Sequence, residues 1–229
     1  MGKLKIWHIS AAFFAICAAL NLYGCITESG LADTVKPALM PLLCLTTMAA
    51  LAQGVGIKSR EAKLLACAQL FGFGGDTALI GSEQFAFFAL GIGLFLIGHI
   101  FYITLFGGKS WKGIKPWVWI IAAVVALAAV AGLVTAIGIK GALLAPMAVY
   151  GLTLMTLIFS TLTGAIRFGT KTWWILLCGA VIFTFSDSLI AIQTFNDPAA
   201  CGGRLGVMAT YLLAQTLLAI GSYRLISQR

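Results

Sequence analysis

Apolar runs of about 20 residues recur along the chain, each broken by a short cluster of charged or turn-forming residues. The pattern predicts eight helices over roughly 6–26, 35–55, 62–80, 84–106, 116–138, 141–164, 173–194 and 205–226. Each run is long enough to cross a bilayer as a helix, and none shows the strict alternation of a barrel strand. Within hydrocarbon the backbone must satisfy its own hydrogen bonds, which leaves helices or a closed barrel. The fold class expected is therefore all-α, a polytopic transmembrane bundle. The connectors are short, so neighbouring helices should pack as antiparallel hairpins and residues 1–229 should form a single transmembrane domain. No internal repeat, low-complexity tract or heptad pattern interrupts this reading.

Composition strengthens it. Of 229 residues, 61% are hydrophobic and 10% charged, with a mean hydropathy of +1.02. A soluble domain of this size would need about a quarter of its residues charged to coat its surface. The first run, with Lys3 and Lys5 ahead of it, has the look of a signal peptide, and Leu22-Tyr23-Gly24-Cys25 that of a lipoprotein cleavage site. Tyr23 is too bulky for such a site, and the run is long enough to span, so a first transmembrane helix is the better reading.

The net charge of +8 would suggest nucleic acid in a soluble protein. The placement of the charges argues against that partner. Twelve of the fifteen basic residues (Lys3, Lys5, Lys58, Arg60, Lys63, Lys109, Lys112, Lys115, Arg167, Lys171, Arg224 and Arg229) fall at the N-terminus, the C-terminus or every second connector. The opposite side holds Lys36, Lys140 and Arg204, together with Glu28, Asp33, Glu83 and Asp197. The positive-inside rule then predicts both termini in the cytoplasm, with the basic excess facing anionic lipid. Trp111, Trp117, Trp119, Trp173 and Trp174 gather near the cytoplasmic ends, as interfacial aromatics should. The compact loops suit a bacterial inner membrane.

Ionisable side chains inside hydrocarbon need an explanation, because a carboxylate there costs at least ~2.5–3.5 kcal/mol on insertion scales. Asp76 shares a polar and small-residue face with Gln69 and Gly72. Asp187 shares one with Thr184, Ala191 and Thr194. Both helices run outward, so the two carboxyls should meet in the outer half. The plain alternative makes each Asp a packing device, neutral or paired with Lys36. His99 lies on an inward-running helix beside Gly91, Phe95, Gly98 and Tyr102. A simple count of rise per residue puts it about 15 Å below Asp76, apart from the carboxyls. A hydrogen-bonded histidine at a close helix contact would explain it as well. Tyr211 and Gln215 stand one turn apart on the eighth run, with Ser222 on the same side. Lys36 precedes Pro37, which suits a first-turn position, and plain snorkelling to the outer interface accounts for its charge.

Other chemistries find no support. There is no G-x-S-x-G elbow, H-E-x-x-H motif or P-loop, and Gly72-Phe73-Gly74-Gly75 has no strand before it. With only His8 and His99 in the chain, a three-histidine zinc site cannot form, which counts against a zinc hydrolase. The six cysteines lack metal-ligand spacing and read as apolar filler, although Cys25 and Cys201 end on the same side and could pair. No cofactor or metal is expected. A transporter or lipid-binding protein using the Asp residues as proton or cation sites remains the competing class, though no inverted repeat supports it.

Taken in order, these landmarks resemble the YhhN family of eight-helix membrane proteins. The resemblance rests on Lys36-Pro37 with Met40, Gly75-Asp76 with Leu79, Gly91, Phe95, Gly98-His99, Tyr102 and Tyr150. It continues through Gly179-Ala180-Val181-Ile182-Phe183-Thr184-Phe185-Ser186-Asp187 and Tyr211-Leu212-Leu213-Ala214-Gln215. Each motif is weak alone, and together they are specific. The resemblance implies a lysoplasmalogenase, which hydrolyses the vinyl ether of a lysophospholipid to a fatty aldehyde and glycerophosphocholine or glycerophosphoethanolamine. That chemistry suits the buried carboxyls, with Asp76 and Asp187 as the acid/base pair and no assignment of which donates. Lys36 becomes a candidate for the substrate phosphate, and Tyr211 and Gln215 for orienting water or a glycerol hydroxyl. Ser186, His99 and Tyr102 are further substrate-side candidates. Vinyl ether hydrolysis needs a proton delivered to carbon and water added to an oxocarbenium ion, and paired carboxyls do comparable work in glycosidases.

Overall fold

The computed structural model describes residues 5–228, so Lys3 and Arg229, two of the charges used for orientation, lie outside the described residues. Eight α-helices follow one another: α1 (Ile6–Ile26), α2 (Leu31–Ala52), α3 (Arg60–Ile80), α4 (Phe85–Ser110), α5 (Pro116–Ile137), α6 (Leu144–Phe168), α7 (Lys171–Phe195) and α8 (Gly203–Ser227). Single 3₁₀ turns precede α6 and α8, and the described residues contain no strand. Seven of these helices are long and apolar enough to cross a membrane, so the chain is a multi-pass membrane protein. The exception is α3. It is as long as α1, but Gln69, Gly72, Gly75 and Asp76 dilute its hydropathy, and all four are buried within the bundle.

The ends of the helices follow local chemistry. The Ser59 side chain caps α3 by accepting from the Ala62 amide. Pro116 opens α5, where its missing N–H costs nothing, and Gly138 and Gly169 close α5 and α6 in the left-handed conformation. The sequence pattern starts the second helix too late. Helix α2 begins at Leu31, so Pro37 is not in the first turn, and both Pro37 and Pro41 lie inside the helix. Each removes a backbone hydrogen bond next to Lys36 or Met40.

Helix α8 is the axis of the assembly, packed on α7, α1, α2 and α3, while α4 bridges α3 to α6. Helix α5 sits outside against α6 and α7, burying only Val130, Val134 and Ile137. Close crossings depend on glycine. A Cβ on Gly24 would meet the Ala32 backbone nitrogen at 2.5 Å, and the nearby Asn21 amide donates to the Ala32 carbonyl at 2.8 Å, locking α1 to α2. Gly164 lies under the Trp173 ring, which is 3% exposed. Trp173 is thus a core residue rather than the interfacial anchor its sequence position suggests, whereas Trp117, Trp119 and Trp174 are exposed. All six cysteines are free, Cys25 buried and Cys201 exposed.

Candidate active site

Asp76 is 2% exposed, in the last turn and a half of α3. Its Oδ2 accepts a 2.6 Å hydrogen bond from the Tyr211 hydroxyl of α8. Its Oδ1 faces Lys36 Nζ at 3.9 Å, so the lysine reaches down from α2 instead of snorkelling away. Tyr211 also lies 3.5 Å from Gln215 Nε2, which donates to it. The Tyr102 hydroxyl in turn donates to Gln215 Oε1 at 3.1 Å. A continuous row therefore runs from Tyr102 through Gln215 and Tyr211 to Asp76 and Lys36. One turn below Gly72, Gln69 accepts from Thr47 at 2.9 Å.

Asp187 is 6% exposed on α7 and forms a second cluster. Its Oδ2 accepts from the Tyr150 hydroxyl of α6 at 2.5 Å and faces His99 Nε2 at 3.8 Å. Asp187 Oδ1 and His99 Nε2 are buried and make no hydrogen bond with a protein group. A native core seldom leaves two such polar atoms unmatched side by side outside a functional site. Phe183 links the clusters, its ring meeting the His99 ring edge-on at 4.7 Å and the Tyr211 ring at 5.6 Å.

The expected separation of His99 from the carboxyls does not hold for Asp187, which it faces at 3.8 Å. Gly91 approaches the Gly75 carbonyl and Gly98 the Ala68 carbonyl, at 3.3 and 3.1 Å from a built Cβ. That register sets His99 near the level of Cys67, nine residues or ~14 Å below Asp76, so the carboxyl it meets is that of Asp187. Side chains lean toward the N-terminus of their own helix. Asp76 and Asp187 therefore lean down into the bundle, while His99, on a helix of opposite direction, leans up to meet Asp187.

Of the remaining candidates, Tyr102 is placed behind Gln215 as its support. Ser186 points elsewhere: its hydroxyl donates to the Val207 carbonyl at 3.1 Å and ties α7 to α8, the face adjacent to that of Asp187. Tyr150 has a larger part than its weak sequence signal suggests. No spacing rule links it to Asp187, 37 residues on.

Two openings reach the clusters from different sides. A polar cavity of about 340 Å³ lies above Asp76, with Lys36, Asp33, Glu83 and Arg204 in its wall. A narrow apolar crevice between α4, α5, α6 and α7 ends on Asp187 and Tyr150 and is walled by Ile92, Val130, Val134, Ile137 and Met147. Among the described residues no three His, Cys, Asp or Glu side chains come together as a ligand set.

The sequence profile of the YhhN family matches residues 31–222, most of the chain. Curated relatives include the lysoplasmalogenase TMEM86B of Mus musculus, 30% identical over 80% of this chain and 73% of the relative. The lysoplasmalogenase TMEM86B of Rattus norvegicus is 30% identical over 80% and 70%, and that of Sus scrofa 28% identical over 79% and 71%. No solved structure matches the chain significantly. The chain belongs to the YhhN family.

Proposed function

From membership of that family, we propose that this protein is a membrane lysoplasmalogenase in which Asp187 is the general acid and Asp76 the general base. The observation that carries the assignment is the difference between the two carboxyls: Asp76 has a cation, Lys36, beside it, whereas Asp187 has only Tyr150 and His99. A carboxyl with a counter-ion holds its charge, and one with none keeps its proton.

The substrate joins a polar glycerophospho group to an apolar chain through the vinyl ether. The polar cavity reaches Asp76 through Lys36, the apolar crevice ends at Asp187, and Phe88 and Ile190 stand in the walls of both. Asp187 delivers its proton to the β-carbon of the vinyl group, and the positive charge develops on the carbon bonded to the ether oxygen. Asp76 takes a proton from water as the water oxygen bonds to that carbon. The resulting hemiacetal collapses when Asp187 recovers a proton from the new hydroxyl and Asp76 returns one to the departing glycerol oxygen. Both carboxyls end as they began, with one water consumed.

The neighbours fit subsidiary roles. Tyr211 and Tyr150 hold one oxygen of each carboxyl, leaving Asp76 Oδ1 toward Lys36 and Asp187 Oδ1 without a protein partner. His99 Nε2 and Asp187 Oδ1 are free to hold a polar atom between them. The charge bias supports cytoplasmic termini, with the polar cavity opening outward, and the compact loops suit a bacterial inner membrane.

The test is to incubate purified protein with lysoplasmalogen, with and without chelator, and assay fatty aldehyde. Release that the chelator leaves intact supports the reading. No release from any vinyl ether lipid would turn it toward transport or lipid binding.

A further inference from the structure

We infer that the polar cavity above Asp76 is a subsite for a zwitterionic head group, with Lys36 and Arg204 receiving its phosphate and Asp33 and Glu83 its ammonium. The inference rests on the hydrolase reading. Its substance is which residues read the head group.

The cavity, about 340 Å³, is formed where α2, α3, α4, α7 and α8 diverge. Its wall brings together two cations and two carboxylates, so the formal charges cancel. The arrangement is not four independent surface charges. Arg204, in the first turn of α8, grips Asp33 of α2 through both guanidinium nitrogens. Lys36, one turn along α2 from Asp33, is only 12% exposed and directed down onto Asp76. Glu83 stands in the α3–α4 connector and makes no ion pair among the described residues.

A phosphodiester carrying an amine matches this pattern group for group. Its phosphate can take the fork of Arg204 in place of the Asp33 carboxylate, since guanidinium pairs with either in the same two-pronged geometry. Asp33 is then released toward the ammonium, alongside the unpaired Glu83. Lys36 is the hinge of the arrangement because it touches both the cavity and Asp76. A phosphate held at Lys36 leaves the three carbons of glycerol to carry the ether oxygen down to the carboxyl. A phosphate monoester without an amine would free Asp33 and leave both acids uncompensated. The cavity should therefore prefer a zwitterionic lysophospholipid to a simple anionic one.

The experiment uses ligands that cannot be hydrolysed: a saturated 1-alkyl ether lysophosphoethanolamine and the matching 1-alkyl glycerol 3-phosphate. Their binding to purified full-length protein in detergent is measured for wild type, Glu83→Gln, Arg204→Gln and Arg204→Lys. Wild type should favour the zwitterion about tenfold, the worth of one hydrogen bond to a charged group. Glu83→Gln should erase most of that preference. Arg204→Gln should weaken both ligands, and Arg204→Lys, which keeps the cation, should recover part of the loss and guards against misfolding. Unchanged discrimination in Glu83→Gln, or unchanged affinities in Arg204→Gln, would overturn the subsite. Aldehyde release from lysoplasmalogen is assayed on the same wild-type sample. A failed subsite with release intact is thereby distinguished from selective binding without hydrolysis, which would sink the hydrolase reading instead.

Discussion

The Tyr150 hydroxyl donates a 2.5 Å hydrogen bond to Asp187 Oδ2, joining α6 to α7 inside a core where both residues are almost fully buried. That bond fixes which oxygen of Asp187 is free. Tyr150→Phe keeps the ring and its edge contact with His99 but removes the donor. The loss leaves a buried acceptor unsatisfied, a cost of about 1–3 kcal/mol. Thermal unfolding should show a modest destabilisation, and aldehyde release should fall by about tenfold or more as Asp187 loses its orientation. Wild-type kcat in this variant would remove Tyr150 from the site.

Asp76→Asn and Asp187→Asn should each reduce aldehyde release by about 10²–10⁴-fold, the usual contribution of a general acid or base. Both substitutions preserve shape, so size-exclusion profiles in detergent should match wild type. The double variant should be little worse than either single one, because the two groups act in one proton cycle. Fully multiplicative losses, or activity near wild type in either single variant, would contradict the paired mechanism.

Much of this was legible in the sequence, for a physical reason. Burying Asp76 and Asp187 in hydrocarbon is expensive, so their presence in apolar runs already marks them. The helix count follows from run length alone, and only α3 falls below the hydropathy of a free-standing span, because its inward face carries Gln69 and Asp76. What the pattern cannot carry is register between helices. Counting rise along straight, independent helices sets His99 apart from both carboxyls. The glycine contacts at Gly91 and Gly98 keep it well below Asp76, and the opposed lean of the His99 and Asp187 side chains brings those two together. Ser186 and Asp187 are sequence neighbours on adjoining helix faces, so adjacency gave no warning that Ser186 serves α8. Trp173 looked interfacial by its position, but Gly164 on the next helix opens a slot for its ring.

Gly75 sits where α3 meets α4, and a Cβ there would come within 2.8 Å of the Phe95 ring. That ring also packs edge-on to Tyr211, centroids 6.0 Å apart. Gly75→Val should therefore act twice, by overpacking at ~1–3 kcal/mol and by displacing the partner of Asp76. The expected result is a lowered unfolding temperature together with lost activity. Gly93→Val, on the same helix as Phe95 but with open space around its Cβ, is the control and should retain both.

The apolar crevice offers a test of where the hydrocarbon chain lies. Gly151 lines it one residue beyond Tyr150, and a Cβ there would touch Val130 of α5 at 3.0 Å. Helix α5 is the most loosely held of the bundle, with Val130, Val134 and Ile137 as its only buried residues, so it can yield to a small insertion. Gly151→Leu should then narrow the crevice without unfolding the protein. If the alkenyl chain runs there, the variant should lose activity on long-chain lysoplasmalogens by more than on short-chain ones, as a rise in KM. The missing space amounts to several methylenes, each worth about 0.8 kcal/mol when buried, so the change in long-to-short preference should be at least several-fold. An equal loss across chain lengths would mean that the crevice only supports Tyr150, and no loss at all would place the chain on another face of the bundle.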